Sequence, residues 1–308
     1  MAAGGSTLSI IAAIAANLAI AILKFIASAY TGSLAMLSEG IHSVIDTTNG
    51  LFLLLGVKRS KKGVDKMHPF GHGKEIYFWS FIVAIFIFAL GGGVAIYEGI
   101  KHIINPIKHT NHANVLWSVG VILGAIVFEG SSLLYAFKQF RKKHPTGFRS
   151  ALIESKDAAT FAIIIEEVAA LAGLVIALIG VSLTYFLDNA IYDAYASVAI
   201  GLLLTYVSIF MAKETQNLLV GETASIADLK MINDILDDYS EIEFFGNLRT
   251  MHLGPDEVMV GVEVNFNNEI SILELERIVK EIKYRIRKND KKFTHVYIES
   301  NSIVKSAY

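Results

Sequence analysis

Hydrophobic and polar positions divide the chain into two regimes. Six apolar stretches, at about 8–29, 33–57, 76–104, 113–137, 151–180 and 191–212, are each long enough to cross a bilayer, which takes roughly 20 residues. All four prolines (Pro69, Pro106, Pro145 and Pro255) fall outside these stretches, as uninterrupted helices require. Beyond residue 213 charges become frequent and the apolar periods shorten. This region reads as a helix at 226–238, strands near 244–253 and 258–266, a helix at 271–288 and a strand near 293–299. Gly254-Pro255-Asp256 is turn chemistry and joins the first two strands as a hairpin. The pattern predicts an all-α six-helix transmembrane domain over 1–213. It is followed by a small α+β domain of αββαβ order, ferredoxin- or metallochaperone-like, over 214–308.

Composition sharpens this picture. Of 308 residues, 53% are hydrophobic and 18% charged, with a mean hydropathy of +0.50. That excludes a disordered chain and argues against an ordinary soluble globule. The net charge of -2 hides an asymmetry, with a surplus of basic residues before 214 and of acidic residues after it. Neither half is basic enough to imply nucleic-acid binding. The chain has no cysteine, so disulfides, thiolate metal sites and cysteine nucleophiles are impossible. The first apolar stretch lacks a basic flank and a small-residue cleavage site, so it is not expected to be a removable signal.

Loop charge predicts orientation. Lys58, Arg59, Lys61, Lys62, Lys66 and Lys74 crowd the connection after span 2, and Lys138, Arg141, Lys142, Lys143 and Arg149 the one after span 4. The opposite connections carry only Lys101 and Lys108. The positive-inside rule then puts the even-span loops, both termini and the acidic tail in the cytoplasm.

Ionisable side chains inside a bilayer are costly and need a partner or a purpose. In span 2, Glu39, His42 and Asp46 recur at i, i+3 and i+7 and so share one helical face. His42 and Asp46, four residues apart, can bring an imidazole nitrogen and a carboxylate oxygen to one divalent cation. Span 5 carries Glu166 and Glu167 within an apolar helix. An imidazole and carboxylates from two helices form an N/O donor set for a first-row divalent metal. The alternative is a set of structural hydrogen bonds and ion pairs, with Lys24 of span 1 neutralising part of the charge. Glu129 of span 4 is left open as a proton relay, an outer partner of the site or a partner of Lys24. Glu98 reads as snorkelling to the interface, and Gly91-Gly92-Gly93 as a place of close helix approach. In the loop after span 2, Asp65, His68 and His72 are spaced D-x-x-H-x-x-x-H, with Pro69 and Gly71 bending the chain between the imidazoles. They either hold a second cation or form a solvated basic loop.

Three segments carry a family resemblance: GSLAMLSEGIHSVIDTTNG (32–50), HPFGHGKEIYFWS (68–80) and GETASIADL (221–229). With them the chain resembles the cation diffusion facilitators, a family of proton-coupled divalent-metal exporters. The resemblance covers essentially the whole chain. It implies a tetrahedral mid-membrane site built from an H/D-x-x-x-D pair on span 2 and another on span 5. His42 and Asp46 match the first pair. Span 5 departs from the pattern, because Glu167 takes the usual Asp position and Ile163 stands where the other ligand is expected. SKDAATFAIIIEEVAAL resembles the divergent zinc-transporter-9-like branch. The site implied is three protein ligands plus water, or one that recruits Glu166, Glu39 or Asp157. The resemblance further implies a second zinc at Asp65, His68 and His72, and a tail that dimerises. Of the several tail histidines that bind metal in bacterial members, only His252 and His295 stand in matching strand regions.

The expected activity is therefore export of divalent cations, Zn²⁺ first, in exchange for protons by alternating access. Expected partners are these ions, protons, membrane lipid and a second copy of the chain. The absence of thiolate leaves Mn²⁺, Fe²⁺, Co²⁺ and Ni²⁺ as other cargoes. A non-transporting metal sensor is the rival reading. No H-E-x-x-H helix is present, so an intramembrane metalloprotease is not expected, and the chain is not read as an enzyme. The expected location is a prokaryotic cytoplasmic membrane.

Overall fold

The computed structural model describes residues 3–105, 112–143, 158–267 and 269–300. It divides into two compact units, one holding the long helices and the other holding 217–308 together with the 59–74 connection.

In the first unit, α1 (Ala3–Thr31) and α2 (Leu34–Ser60) are joined by a two-residue corner. Gly32 closes α1 at φ +69, donating its N–H to Ser28 O at 2.8 Å, a left-handed cap that suits glycine. Ser33 opens α2, its Oγ accepting from Met36 N at 3.2 Å. The third span is built of three pieces: α3 (Glu75–Phe86), a π-helical segment over Ile87–Gly93, and α4 (Val94–Ile104). Then follow α5 (His112–Lys143), α6 (Ala158–Leu187) and α7 (Ile191–Val220).

Five segments, from Met36–Ser60 to Ile191–Val220, are long and apolar enough to cross a membrane. At 29 residues α1 has the length of a sixth, and its described side chains from Asn17 to Thr31 form a shorter apolar helix. The helices run past the expected apolar boundaries because polar flanking turns continue them, as in α7, which reaches Val220 rather than 212. The start of span 5, expected at 151, lies outside the described residues, as do Lys108, Arg149 and Asp157.

The π segment holds the expected glycine triplet. A side chain on Gly92 would collide with Thr205 Oγ1 and with Gly201 O of α7. Two turns on, a side chain on Gly99 would meet Val198 and Ala194 O. The third span and α7 therefore approach backbone to backbone, as small residues allow. Ser197 of α7 ties the same seam, its Oγ donating to Ala95 O at 3.0 Å and lying 2.6 Å from Ser38 Oγ of α2.

The second unit has the expected αββαβ order: α8 (Ile226–Asp237), β1 (Ile242–Gly254), β2 (Glu257–Phe266), α9 (Ile272–Asn289) and β3 (His295–Ser300). The sheet order is β1-β2-β3, with β1 and β2 antiparallel and β2 and β3 parallel. Pro255 and Asp256 alone separate the hairpin strands, and α9 makes the crossover that a parallel pair demands. Strict alternation in β2 buries Val258, Val260, Val262 and Val264 against Ile278, Ile282 and Ile286 of α9. Ser225 and Asp228 form a capping box on α8. Lys292, just before β3, binds both oxygens of Asp228 at 2.8 and 2.9 Å. Burial alone would push the Asp228 carboxyl up, but the hydrogen bonds from Lys292 and Ser225 outweigh it and hold the group below its ordinary value.

Candidate metal centre

His42, Asp46 and Asn49 lie at i, i+4 and i+7 on α2 and form a buried polar stripe. His42 is 1% exposed, and neither of its ring nitrogens has a hydrogen-bond partner. Its Nε2 is 3.5 Å from Asp46 Oδ2, while Asp46 Oδ1 is also unpartnered. Asn49 Nδ2 donates to Glu166 Oε1 of α6 at 2.7 Å, fixing the stripe against that helix. Glu167, the neighbouring residue, accepts from Ser132 Oγ of α5 at 2.7 Å, and its Oε2 is unpartnered and buried. Glu166 thus faces α2, and Glu167 faces α5. Asp46 lies within Coulombic reach of Glu166, Glu129 and Glu167 on the facing helices. A buried imidazole and several carboxylate oxygens without donors are what a divalent cation would satisfy.

The donors are gathered without being closed into a cage. Among the described residues, His42, Asp46, Glu166 and Glu167 do not bring three donor atoms within 4.8 Å of one another. Glu39, an alternative ligand by sequence, is engaged through one oxygen: Lys24 Nζ of α1 binds its Oε2 at 3.2 Å and Ser43 Oγ at 2.8 Å, while Glu39 Oε1 is buried without a partner. Lys24 is thereby directed to Glu39 and Ser43 rather than to His42 or Asp46.

The loop cluster does close. Asp65, His68 and His72 each offer a ligand atom within 4.8 Å of the others. Asp65 Oδ1 accepts from the backbone N–H of His68 at 2.7 Å and of Met67 at 2.9 Å, and lies 3.1 Å from His68 Nδ1. Its other oxygen is 3.4 Å from His72 Nε2. His72 Nδ1 is 3.2 Å from Gly63 O, and donation there leaves Nε2 with a free lone pair toward Asp65, a second contact that orients the ring. Gly71, at φ +82, makes the turn that brings the two rings to a centroid distance of 4.2 Å. The backbone donor of His68, followed by its side chain and Met67 N, lowers the Asp65 carboxyl to about 2. It is therefore an anion at any physiological pH.

Comparison with known proteins fits this geometry. Residues 10–220 match the cation efflux transmembrane domain, and 225–302 match the cation efflux protein cytoplasmic domain. The chain belongs to the cation efflux, or cation diffusion facilitator, family. It is 32% identical over 250 residues to the mitochondrial proton-coupled zinc antiporter SLC30A9 of Mus musculus, covering 80% of this chain and 44% of that protein. Metal tolerance protein C4 of Arabidopsis thaliana is 29% identical, with 81% and 55% covered. The cation-efflux pump FieF of Salmonella arizonae is 24% identical, with 90% and 86% covered. The chain thus spans about half the length of the first two relatives.

Within the cation diffusion facilitator frame, the structure separates the two candidate acids of span 5. Ile163, aligned with the missing ligand, is 38% exposed on the outer face of α6. Glu166 is buried and carries the contact to α2. Asn49 and Ser132 were missed by sequence reading. Asn49 could have been found, since it extends the His42/Asp46 stripe by one turn. Ser132 had no signal until its contact with Glu167 was seen. In the tail, His252 pairs with Val258 while His295 pairs with Met259. Adjacent strand positions point to opposite faces, so these two histidines cannot share one metal.

Proposed function

We propose that this chain is a proton-coupled antiporter that exports divalent cations, Zn²⁺ foremost, by alternating access around the α2/α6 site. The observation that carries the reading is His42: an imidazole with two unpartnered nitrogens, buried in a candidate membrane span beside Asp46. The mechanism follows from donor chemistry. Ligation needs the imidazole neutral and the carboxylates ionised, so proton and cation compete for the same atoms. Open to the metal-supplying side, the site loads a cation and releases protons. Open to the acidic side, protons return to the donors and the cation leaves. Asn49 and Ser132 hold Glu166 and Glu167 in place through this exchange. The carboxylate-rich donor set also accepts harder ions such as Mn²⁺. The name of the mammalian relatives, a proton-coupled zinc antiporter, supports zinc and protons as the coupled ions.

We further assign the basic 58–74 connection, both termini and the tail to the cytoplasm of a multi-pass protein of the cell membrane, from the loop charges. Asp65, His68 and His72 form a second cation site on that side. The tail pairs with that of a second copy. Its sheet face opposite α8 and α9 carries Met259 and half-exposed Tyr297 beside Glu263 and Glu299, a mixed surface that a partner tail would meet.

The test is flux. Proteoliposomes with an inside-acid gradient are expected to accumulate Zn²⁺, and Asp46→Ala is expected to abolish the uptake. Uptake indifferent to the gradient, or binding without movement as in a sensor, would refute the reading.

A further inference from the structure

Span 5 is one donor short of the pair that the family pattern leads one to expect. Ile163 cannot ligate, and its side chain faces outward. Around the remaining donors, buried valence is left open: both nitrogens of His42, Asp46 Oδ1 and Glu167 Oε2 lack partners. On α5 one acid faces this region. Glu129 is 4% exposed, while the adjacent Phe128 and Val127 are 37% and 74% exposed on the outer surface. Glu129 and Ser132, at i and i+3, share a face of α5. Ser132 Oγ already reaches Glu167 Oε1 at 2.7 Å, so this face of α5 is the one turned to the site. The Glu129 carboxyl interacts with that of Glu167 and lies within Coulombic reach of Asp46.

We propose that Glu129 of α5 is a ligand of the transported cation, supplying the donor that span 5 lacks at Ile163. The inference rests on the transport reading above and adds a third helix to its site. Lys24 lies within Coulombic reach of Glu129, but its ammonium is bound by Glu39 and Ser43, which leaves the Glu129 carboxyl without a direct cationic partner in a nonpolar setting. A cation shared by His42, Asp46, Glu167 and Glu129 satisfies all four side chains at once. It also gives an imidazole-plus-carboxylate set, harder than a His-rich one and more tolerant of Mn²⁺. The donors converge on loading, and α5 moves with α2 and α6 rather than standing aside.

The chain has no cysteine, which permits a direct test. Purified full-length Glu129→Cys, with His68→Ala and His72→Ala to silence the loop, is titrated with Co²⁺ alone. A thiolate bound to Co²⁺ gives an ultraviolet charge-transfer band, and residue 129 is the only possible source. The band is expected for Glu129→Cys, saturating at one ion per chain. It is not expected for Ile163→Cys. A band from Ile163→Cys and none from Glu129→Cys overturns the proposal. Should Glu129→Cys not fold, Glu129→Gln decides. It is expected to weaken Zn²⁺ binding by about tenfold or more, and wild-type affinity with wild-type flux refutes the ligand role. Both outcomes are read against wild-type flux, whose failure would instead refute the transport reading.

Discussion

Asn49 Nδ2 donates to Glu166 Oε1 at 2.7 Å, and this bond joins the His42/Asp46 stripe of α2 to α6. Both residues are buried, at 0% and 9% exposure. The contact restricts the rotation of Glu166 and leaves Oε2 as its freer oxygen. Loss of such an outer partner typically costs 10–100-fold in metal affinity or activity. Asn49→Leu is therefore expected to lower the zinc flux about tenfold or more. Asn49→Gln, which retains an amide donor, should recover part of it. Equal flux in wild type and Asn49→Leu would show that the bond is only packing.

Lys24 and Glu39 form an ion pair at zero side-chain exposure, joined by Ser43. Removing one member leaves the other as a bare buried charge, at a cost of about 3–5 kcal/mol. Removing both leaves a neutral seam of similar volume. Lys24→Met is thus expected to reduce the yield of folded protein and its melting temperature in detergent. The double variant Lys24→Met/Glu39→Gln should recover most of both. Zinc flux that recovers with them separates a structural pair from a cation ligand, since a lost ligand would stay lost in the double variant.

The fold was legible because its signals are one-dimensional. Runs of apolar residues locate membrane helices, and the alternation of Val258, Val260, Val262 and Val264 marks a half-covered strand whatever its neighbours are. The candidate site was legible where its proposed donors share one helix, as with His42 and Asp46, or one short loop, as with Asp65, His68 and His72. It was not legible where the answer depends on the relative rotation of two helices. Glu166 and Glu167 are adjacent in sequence and point about 100° apart on a helix. Only the partners Asn49 and Ser132 show which acid meets α2 and which meets α5. The π segment was equally hidden, since Gly91-Gly92-Gly93 permits a close approach without specifying a change of helical pitch.

Gly92 offers a steric test of that approach. An added side chain would strike Thr205 Oγ1 and, behind it, the backbone of Gly201, which cannot yield as a side chain can. Gly92→Val is expected to force the third span and α7 apart and to lower the melting temperature sharply. Gly93, whose side-chain direction meets only Phe88 O of its own helix at 3.6 Å, is the matched control. Gly93→Ala should be close to wild type in both stability and flux. If Gly92→Val melts like Gly93→Ala, the two helices are not in backbone contact in the membrane.

The loop cluster makes a prediction about pH. The backbone N–H of His68 holds the Asp65 carboxyl at about 2, below its ordinary value, so the group is ionised throughout the range in which an imidazole changes charge. A depressed carboxylate loses its charge only as pH falls through its own low value, so any proton that competes with a cation here between about pH 5 and 8 is one on an imidazole. Zinc binding to the loop should therefore weaken on acidification while Asp65 itself stays ionised. In a chain whose membrane site is disabled by Asp46→Ala, Asp65→Asn is expected to weaken binding by about tenfold or more. The loss should persist at pH 8, where free imidazoles are neutral and the missing carboxylate is the difference between the two chains. Wild-type affinity in Asp65→Asn at pH 8 would show that the carboxylate is held by its backbone donors without serving as a ligand.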